Sequence, residues 1–478
     1  MRNWVLAGSV TALIALPTVL AFFSGGFFDE PRIIAATLVW ILVVIAAILT
    51  PRPLPVSTPG RLAVAGLCLL CLWTAASITW APLGGRAQDD LQRLLLYTGY
   101  FISAVALLRG AGVRRAIEPA LVLGAFVVVA YGLSERLLPD LVELEQSTTS
   151  DGRLEQPLTY WNAFGIVAGI GLILAVRLAG DPERTTGVRM AAAGVAVPLG
   201  LGVYLTFARG VLAAVAVGLV LLVALAPALR VQLRSALVVV GAAALASLVA
   251  NNLTTVKSLG ERDAGEGLLM LAALVLLALT AAIVTVRPSA GAVQVPALPT
   301  ARPAAIVGTG VIVLVIGGLV FAAFEGRPEG ASPASGATAA RLGSIDSNRY
   351  RYWEVAGTTF SEHPIQGAGS GGFAVDWLKL EDRADAAVDA HSLYLETAAE
   401  LGFVGLLFLL AFMGGVAAAG VKLYRLDPRA AAGPAAALAA WALHAGLDWD
   451  WEMPAVTLPA LILAAALVAW SEEVVRHA

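Results

Sequence analysis

Two arginines, Arg349 and Arg351, open the stretch RYRYWEVAGTTFSEHPIQGAGSGGF at residues 349–373. A guanidinium grips phosphate oxygens through paired, planar hydrogen bonds, so arginines among aromatics suit a phosphorylated ligand. Helical periodicity puts Arg349, Trp353 and Phe360 on one face, with Asp346 or Ser347 as the candidate cap. Pro364 disfavours helical geometry at His363 and ends that helix. Gly367, Gly369, Gly371 and Gly372 then permit tight turns or a close backbone approach to a ligand. The plainer alternative is a solvated loop whose arginines pair with nearby acids.

Further on, DAHSLYLETAAELGFVGLL at 389–407 puts His391 at the start of a long apolar helix, with Asp389 as a candidate cap. The partial positive charge of a helix N-terminus disfavours imidazolium, and a neutral imidazole can act as a general base. Arg209, in LTFARGVLA, is the sole charge between Arg189 and Arg230. A charge in so apolar a setting is costly and usually has a role, unless it snorkels from a tight turn. In HAGLDWDWE at 444–452, Asp448 and Asp450 could bind a metal as Asp-x-Asp. The favoured reading instead makes Asp448 the partner of an arginine or of His391, with no metal. Tyr160 and Asn162, in RLEQPLTYWNAFG, read equally as an interfacial belt with a helix cap or as sugar contacts. Cys68 and Cys71, at i and i+3 in an apolar run, read as packing residues.

The elements that must carry these residues are membrane helices. The 478-residue chain is 59% hydrophobic and 14% charged, whereas soluble domains are about 25% charged. Runs of about 20 apolar residues, each long enough to span a hydrocarbon core, recur without strand-like alternation. The fold class is an all-α integral membrane bundle of about 12–14 transmembrane helices. Spans are expected near 4–23, 32–50, 61–80, 93–109, 115–138, 160–179, 188–207, 210–226, 234–250, 266–286, 304–324, 396–424, 430–447 and 455–471. The first reads as an uncleaved span rather than a signal peptide. Residues 287–303 and 326–340, rich in Pro, Gly or Ala, read as connectors. The division is an N-terminal bundle at 1–324, an extracytoplasmic loop at 325–395 bearing the candidate residues, and C-terminal helices at 396–478. Arginines concentrate in alternate loops, among them Arg52, Arg109, Arg114, Arg184, Arg230 and Arg429. The positive-inside rule then sets both termini in the cytoplasm and the long loop, Arg209, Asn162 and Asp448 outside. A net charge of −3 gives no reason to expect nucleic acid as a partner.

Taken together, these residues resemble the O-antigen ligase and polymerase superfamily. The resemblance rests on Arg349 with Trp353, His363-Pro364-Ile365-Gln366-Gly367-Ala368-Gly369, Ala390-His391 with Tyr394, and Glu400-Leu401-Gly402. Arg209-Gly210, Asn162 and Asp448 extend it, although Ala208 stands where the family usually has Ser before that arginine. The resemblance implies transfer of a glycan from a polyprenyl-diphosphate carrier to an acceptor glycan, lipid or protein. It also implies that the transfer takes place on the outer face of the cytoplasmic membrane, among membrane lipids and without a nucleotide sugar; no cofactor or metal is expected. Within that implication His391 is the base, and Arg349, Arg209 and Arg351 neutralise the diphosphate. Asp448 orients His391 or an arginine, while Trp353, Tyr160 and Asn162 contact substrate. All four of Arg209, Arg349, His391 and Asp448 are expected to converge in one outward-facing cavity. Rival readings are a glycan-chain polymerase of the same superfamily, and a transporter or flippase for an envelope precursor.

Overall fold

Of the residues that the computed structural model describes, 79% are helical and none lies in a strand. It describes residues 1–260, 262–287, 337, 349–380 and 387–473. The expected span at 304–324 and the candidate caps Asp346 and Ser347 lie outside the described residues, as does nearly all of both connectors.

The first eleven helices are α1 (Arg2–Ala21), α2 (Asp29–Leu49), α3 (Thr58–Ser77), α4 (Gly84–Leu107), α5 (Ala111–Leu137), α6 (Trp161–Ala179), α7 (Thr186–Leu205), α8 (Arg209–Leu225), α9 (Leu229–Asn251), α10 (Thr254–Ser258) and α11 (Ala264–Val286). After the undescribed stretch come α12 (Arg349–Glu362), α13 (Phe373–Leu380), α14 (Leu393–Leu426), α15 (Pro428–Ala445) and α16 (Pro454–Glu473). Among the described residues ten helices are long and apolar enough to cross a membrane, and α8 is a shorter apolar helix. Each expected span within the described residues coincides with a helix. The break at ARG is real: α7 ends at Leu205, Phe207 takes a φ of +49°, and α8 begins at Arg209. α4 starts well before its apolar part because its first turns carry Arg86, Asp89, Asp90 and Arg93.

The helices form two compact units, Met1–Ile117 with Asn348–Ala478, and Glu118–Ser347. In the first unit α16 packs on α1, α4, α14 and α15, and α3 packs along α14. The α3–α14 crossing is close because it is built on glycine. A Cβ on Gly66 would lie 2.4 Å from the Phe412 nitrogen, and one on Gly415 would lie 2.5 Å from the Ala63 nitrogen. Small residues let membrane helices approach and gain van der Waals contact, since lipid supplies no hydrophobic drive between them.

The two ends of this unit are chemically sorted. At one end Phe27 packs on Trp449 with ring centroids 5.7 Å apart. There too the Gly369 turn sits against Ala81, and the Tyr97 hydroxyl donates to the Trp451 carbonyl (2.6 Å). At the other end Glu472 accepts from the Val56 and Ser57 amides (2.9 and 2.8 Å) and from Arg109 (3.1 Å), and Arg114 pairs with Asp427. This is the grouping of loops that strict up-and-down alternation requires.

In the second unit α6 packs on α7, α8 and α9, and α7 packs on α9 and α11. α6 is buried along its whole length.

Candidate active site

α12 begins at Arg349 and stops at Glu362, just before the His363-Pro364 pair. Its buried stripe is Tyr352, Val355, Ala356 and Thr359, an i, i+3, i+4, i+7 pattern. The sequence stripe of Arg349, Trp353 and Phe360 is therefore offset from the inner face. Arg349 and Trp353 flank that face rather than fill it. Tyr352 carries the packing, against Trp377 (4.8 Å between centroids) and His391 (4.9 Å, stacked).

The glycine-rich turn after α12 closes on protein. Within α14, Gly402 takes φ +65° and ψ −166°, which interrupts the helix. An interrupted helix leaves amides and carbonyls without intrahelical partners. The 364–369 segment supplies them. Phe403 and Val404 amides donate to the Pro364 and Ile365 carbonyls (2.8 and 3.3 Å). Ala368 and Gly369 amides donate to the Ala399 and Glu400 carbonyls (3.0 and 2.9 Å). Gly367 has φ +75°, and a Cβ there would lie 2.2 Å from the Glu400 carbonyl. The close backbone approach these glycines permit is thus to α14. Glu400 adds a side-chain tie by accepting from the Phe373 amide (3.1 Å).

His391 stands two residues before α14, whose N-cap is Ser392. Asp389 is not the cap. The nearby amide of Ala390 donates instead to the Glu396 carboxylate (2.8 Å). His391 has a φ of +53°, a conformation that costs a non-glycine residue about 1–3 kcal/mol and persists only where its surroundings enforce it. Those surroundings are the Tyr352 ring on one side and Trp449 on another (6.4 Å, edge-on). Its Nδ1 lies 3.1 Å from the Asp389 carbonyl oxygen. A carbonyl only accepts, so Nδ1 carries the hydrogen and a neutral ring has its lone pair at Nε2.

Asp448, wholly buried, forms an ion pair with Arg349, and its other oxygen accepts from the Trp449 amide (3.0 Å). Of the two partners expected for Asp448, the contact made is with the arginine. Asp450 turns the other way and lies 2.6 Å from Nδ1 of buried His444. The Asp-x-Asp carboxylates therefore serve separate partners. Burial raises the Asp450 carboxyl above its ordinary range, against the pull of His444. Arg349, His391 and Asp448 are thus gathered at one end of the first unit through Tyr352 and Trp449. Trp353 is half-buried beside them, and its indole Nε1 has no hydrogen-bond partner among the described residues.

Arg351 is exposed and pairs with Glu354 (2.9 Å) on the outer side of α12, the solvated arrangement expected of a surface arginine. Arg209, Tyr160 and Asn162 belong to the second unit. Arg209 is the first residue of α8, with Ala208 as N-cap. Asn162 is not a helix cap. It is the second residue of α6 and donates to the Tyr160 hydroxyl (2.7 Å). Beside it the Arg153 guanidinium lies 3.4 Å over the Trp161 ring.

Sequence reasoning missed the charged layer next to His391. Arg93 pairs with Asp90 (2.9 Å) and Glu452, and the Ser370 hydroxyl donates to Asp90. Asp389, Glu396 and Glu452 bring one carboxylate oxygen each within 4.8 Å of one another and could hold a cation. Burial raises the carboxyl of Asp389, opposed by His391 and Arg93, and raises Glu452 to about 8 despite Arg93 beside it. The available signal was charge at helical spacing inside apolar context, Asp90 with Arg93 and Glu396 with Glu400.

Residues 265–410 match the family model described as O-antigen ligase. The match covers 146 of the chain's 478 residues and supports a resemblance to the O-antigen ligase and polymerase superfamily. The matched segment takes in Arg349, the glycine turn, His391 and the Gly402 break, while Asp448 lies beyond it. Comparison with curated proteins gives no match. The match supports a glycan-processing membrane enzyme of the O-antigen ligase or polymerase type.

Proposed function

We propose that the protein transfers a glycan from a polyprenyl-diphosphate carrier to an acceptor hydroxyl at the outer face of the cytoplasmic membrane. The acceptor O–H gives its proton to Nε2 of His391. Its oxygen attacks the anomeric carbon, and the bond from that carbon to the diphosphate oxygen breaks. Arg349 meets the charge that develops on the departing diphosphate, as a preorganised donor does in a site shielded from water. Asp448 positions Arg349 and does not touch the reacting atoms. Trp353, whose indole N–H has no hydrogen-bond partner among the described residues, contacts the donor. Arg351 has no part in this reading. The leaving group is met by arginine and not by a metal.

The observation that carries the proposal is the joint placement of the Asp448-held Arg349 and the His391 imidazole, whose Nδ1 is committed to the Asp389 carbonyl. The gathering of polar groups at one end of the first unit also favours an enzyme over a transporter. Transporters commonly bind near the bilayer midplane at discontinuous helices. The arginine bias in alternate loops supports an outward-facing site with both termini in the cytoplasm.

The test is genetic and chemical. A deletion strain should accumulate lipid-linked glycan, and a wild-type copy should clear it. A His391→Ala copy should not. Clearance by His391→Ala at the wild-type rate would remove the base assignment.

A further inference from the structure

Three carboxylates from three segments meet beside the His391 loop. Asp389 lies in that loop, Glu396 in the first turn of α14, and Glu452 in the turn that precedes α16. One oxygen of each falls within 4.8 Å of the other two. Three carboxylate oxygens no more than 4.8 Å apart can share one cation. Magnesium usually keeps several waters and takes only one or two carboxylates, whereas calcium accepts flexible sets of about six to eight oxygens, so a set of three protein carboxylates favours calcium. All the donors are hard oxygens, which suits such an ion.

The local charge is unbalanced. Arg93 is shared between Glu452 and Asp90. Asp389 faces Arg93 and His391 as well as carboxylates, whereas Glu396 faces the carboxylates of Asp389, Glu452 and Glu400. An independent observation lies in the adjoining cavity. It measures about 40 Å³, and its lining includes Thr74, Asp90, Arg93, Glu396, Glu400 and Glu452. Thr74 is 1% exposed, and its hydroxyl oxygen has no hydrogen-bond partner among the described residues. A buried hydroxyl in that state calls for a partner. A cavity larger than the roughly 10–15 Å³ that one water needs can supply it.

We infer that Asp389, Glu396 and Glu452 bind one divalent cation of the calcium class. Water in the cavity completes the coordination shell, and the Thr74 hydroxyl hydrogen-bonds to that water. The ion ties the His391 loop, the start of α14 and the 450–452 turn together. Its work is positional: it fixes the segments that carry His391 and Trp449 and takes no charge from the leaving group. The inference rests on the carboxylate geometry and not on the transfer reading, so either stands if the other falls.

The experiment reads binding without any glycan. Full-length protein, purified in detergent and stripped with a chelator, is titrated with Tb³⁺ and excited through tryptophan, since Trp451 lines the adjoining cavity. A saturable luminescence displaced by Ca²⁺ more readily than by Mg²⁺ is expected. Glu396→Gln and Asp389→Asn should each weaken Tb³⁺ binding at least about tenfold, as loss of a coordinating carboxylate does. Glu143→Gln, an exposed acid of the second unit, should not. Ca²⁺ should also raise the apparent Tm of the wild type but not of Asp389→Asn. If Glu396→Gln aggregates, Asp389→Asn carries the test, because Asp389 is only half-buried. A signal that does not saturate, resists Ca²⁺, or survives Asp389→Asn unchanged overturns the inference.

Discussion

Removing Arg349 and removing Asp448 should have unequal effects on stability, and the asymmetry follows from burial. Asp448 is fully buried, whereas the Arg349 side chain keeps 24% of its exposure. Arg349→Ala leaves a carboxylate stranded out of water, a lesion worth about 3–5 kcal/mol. Asp448→Asn leaves an arginine that water can still reach, and the amide oxygen can still accept from the Trp449 N–H. Loss of one charge-assisted hydrogen bond is worth about 1.5–3 kcal/mol. At about 2 °C per kcal/mol for a unit of some 250 residues, Arg349→Ala should lower the apparent Tm by about 6–10 °C and Asp448→Asn by about 3–6 °C. The decisive species is the double variant. With no stranded charge, Arg349→Ala/Asp448→Asn should be more stable than Arg349→Ala alone, while both remain unable to transfer glycan. Scanning fluorimetry in detergent at one protein concentration measures all four proteins. A double variant less stable than Arg349→Ala, with the two losses simply adding, would refute the reasoning that the buried carboxylate depends on this arginine.

Other consequences are more direct. His391→Ala should still retain lipid-linked donor in a pull-down but transfer it about 10²–10⁴-fold more slowly, the usual loss for a general base. Arg349→Lys keeps a charge but not the planar fork, so in the same transfer assay it should recover only part of the activity. Gly402→Ala and Gly367→Ala would each put a Cβ within 2.3 Å of a facing backbone oxygen at positive φ. Both should undock the 364–372 turn and expose it to limited proteolysis, whereas Gly414→Ala, with nothing within 4 Å, should digest like the wild type. For orientation, a cysteine at Ser335 should react with an impermeant maleimide in intact cells and one at Ser289 should not; the reverse pattern would invert the whole arrangement.

The helical frame was legible because apolar length is a strong signal in a membrane chain, and one arginine was enough to mark the α7–α8 break. The Arg349-to-Asp448 contact was half legible. An isolated outer carboxylate needs a cation, but sequence alone left an arginine and His391 equally open. The caps misled: neither Asp389 nor Asn162 caps a helix, because a left-handed residue at His391 and an extended Tyr160 move the helix starts away from them. The glycine run was read with the right flexibility and a different object. What it approaches is the broken turn at Gly402, and no local pattern announces where a helix will be interrupted by a segment some 35 residues earlier. The acidic layer escaped notice since each member looks like an ordinary span-end charge until Arg93, Glu396 and Glu452 are brought together by folding.

In the proposed reaction, Arg349 and His391 release a polyprenyl diphosphate while a glycan passes to a hydroxyl. The most direct measurement incubates purified protein with a radiolabelled polyprenyl-diphosphate glycan and an acceptor, and quantifies free polyprenyl diphosphate alongside glycosylated product. The wild type should give equal amounts of the two, both falling together by at least about 10²-fold in His391→Ala and to background in Arg349→Ala. Equal release and transfer that persist at the wild-type rate in both variants would contradict it.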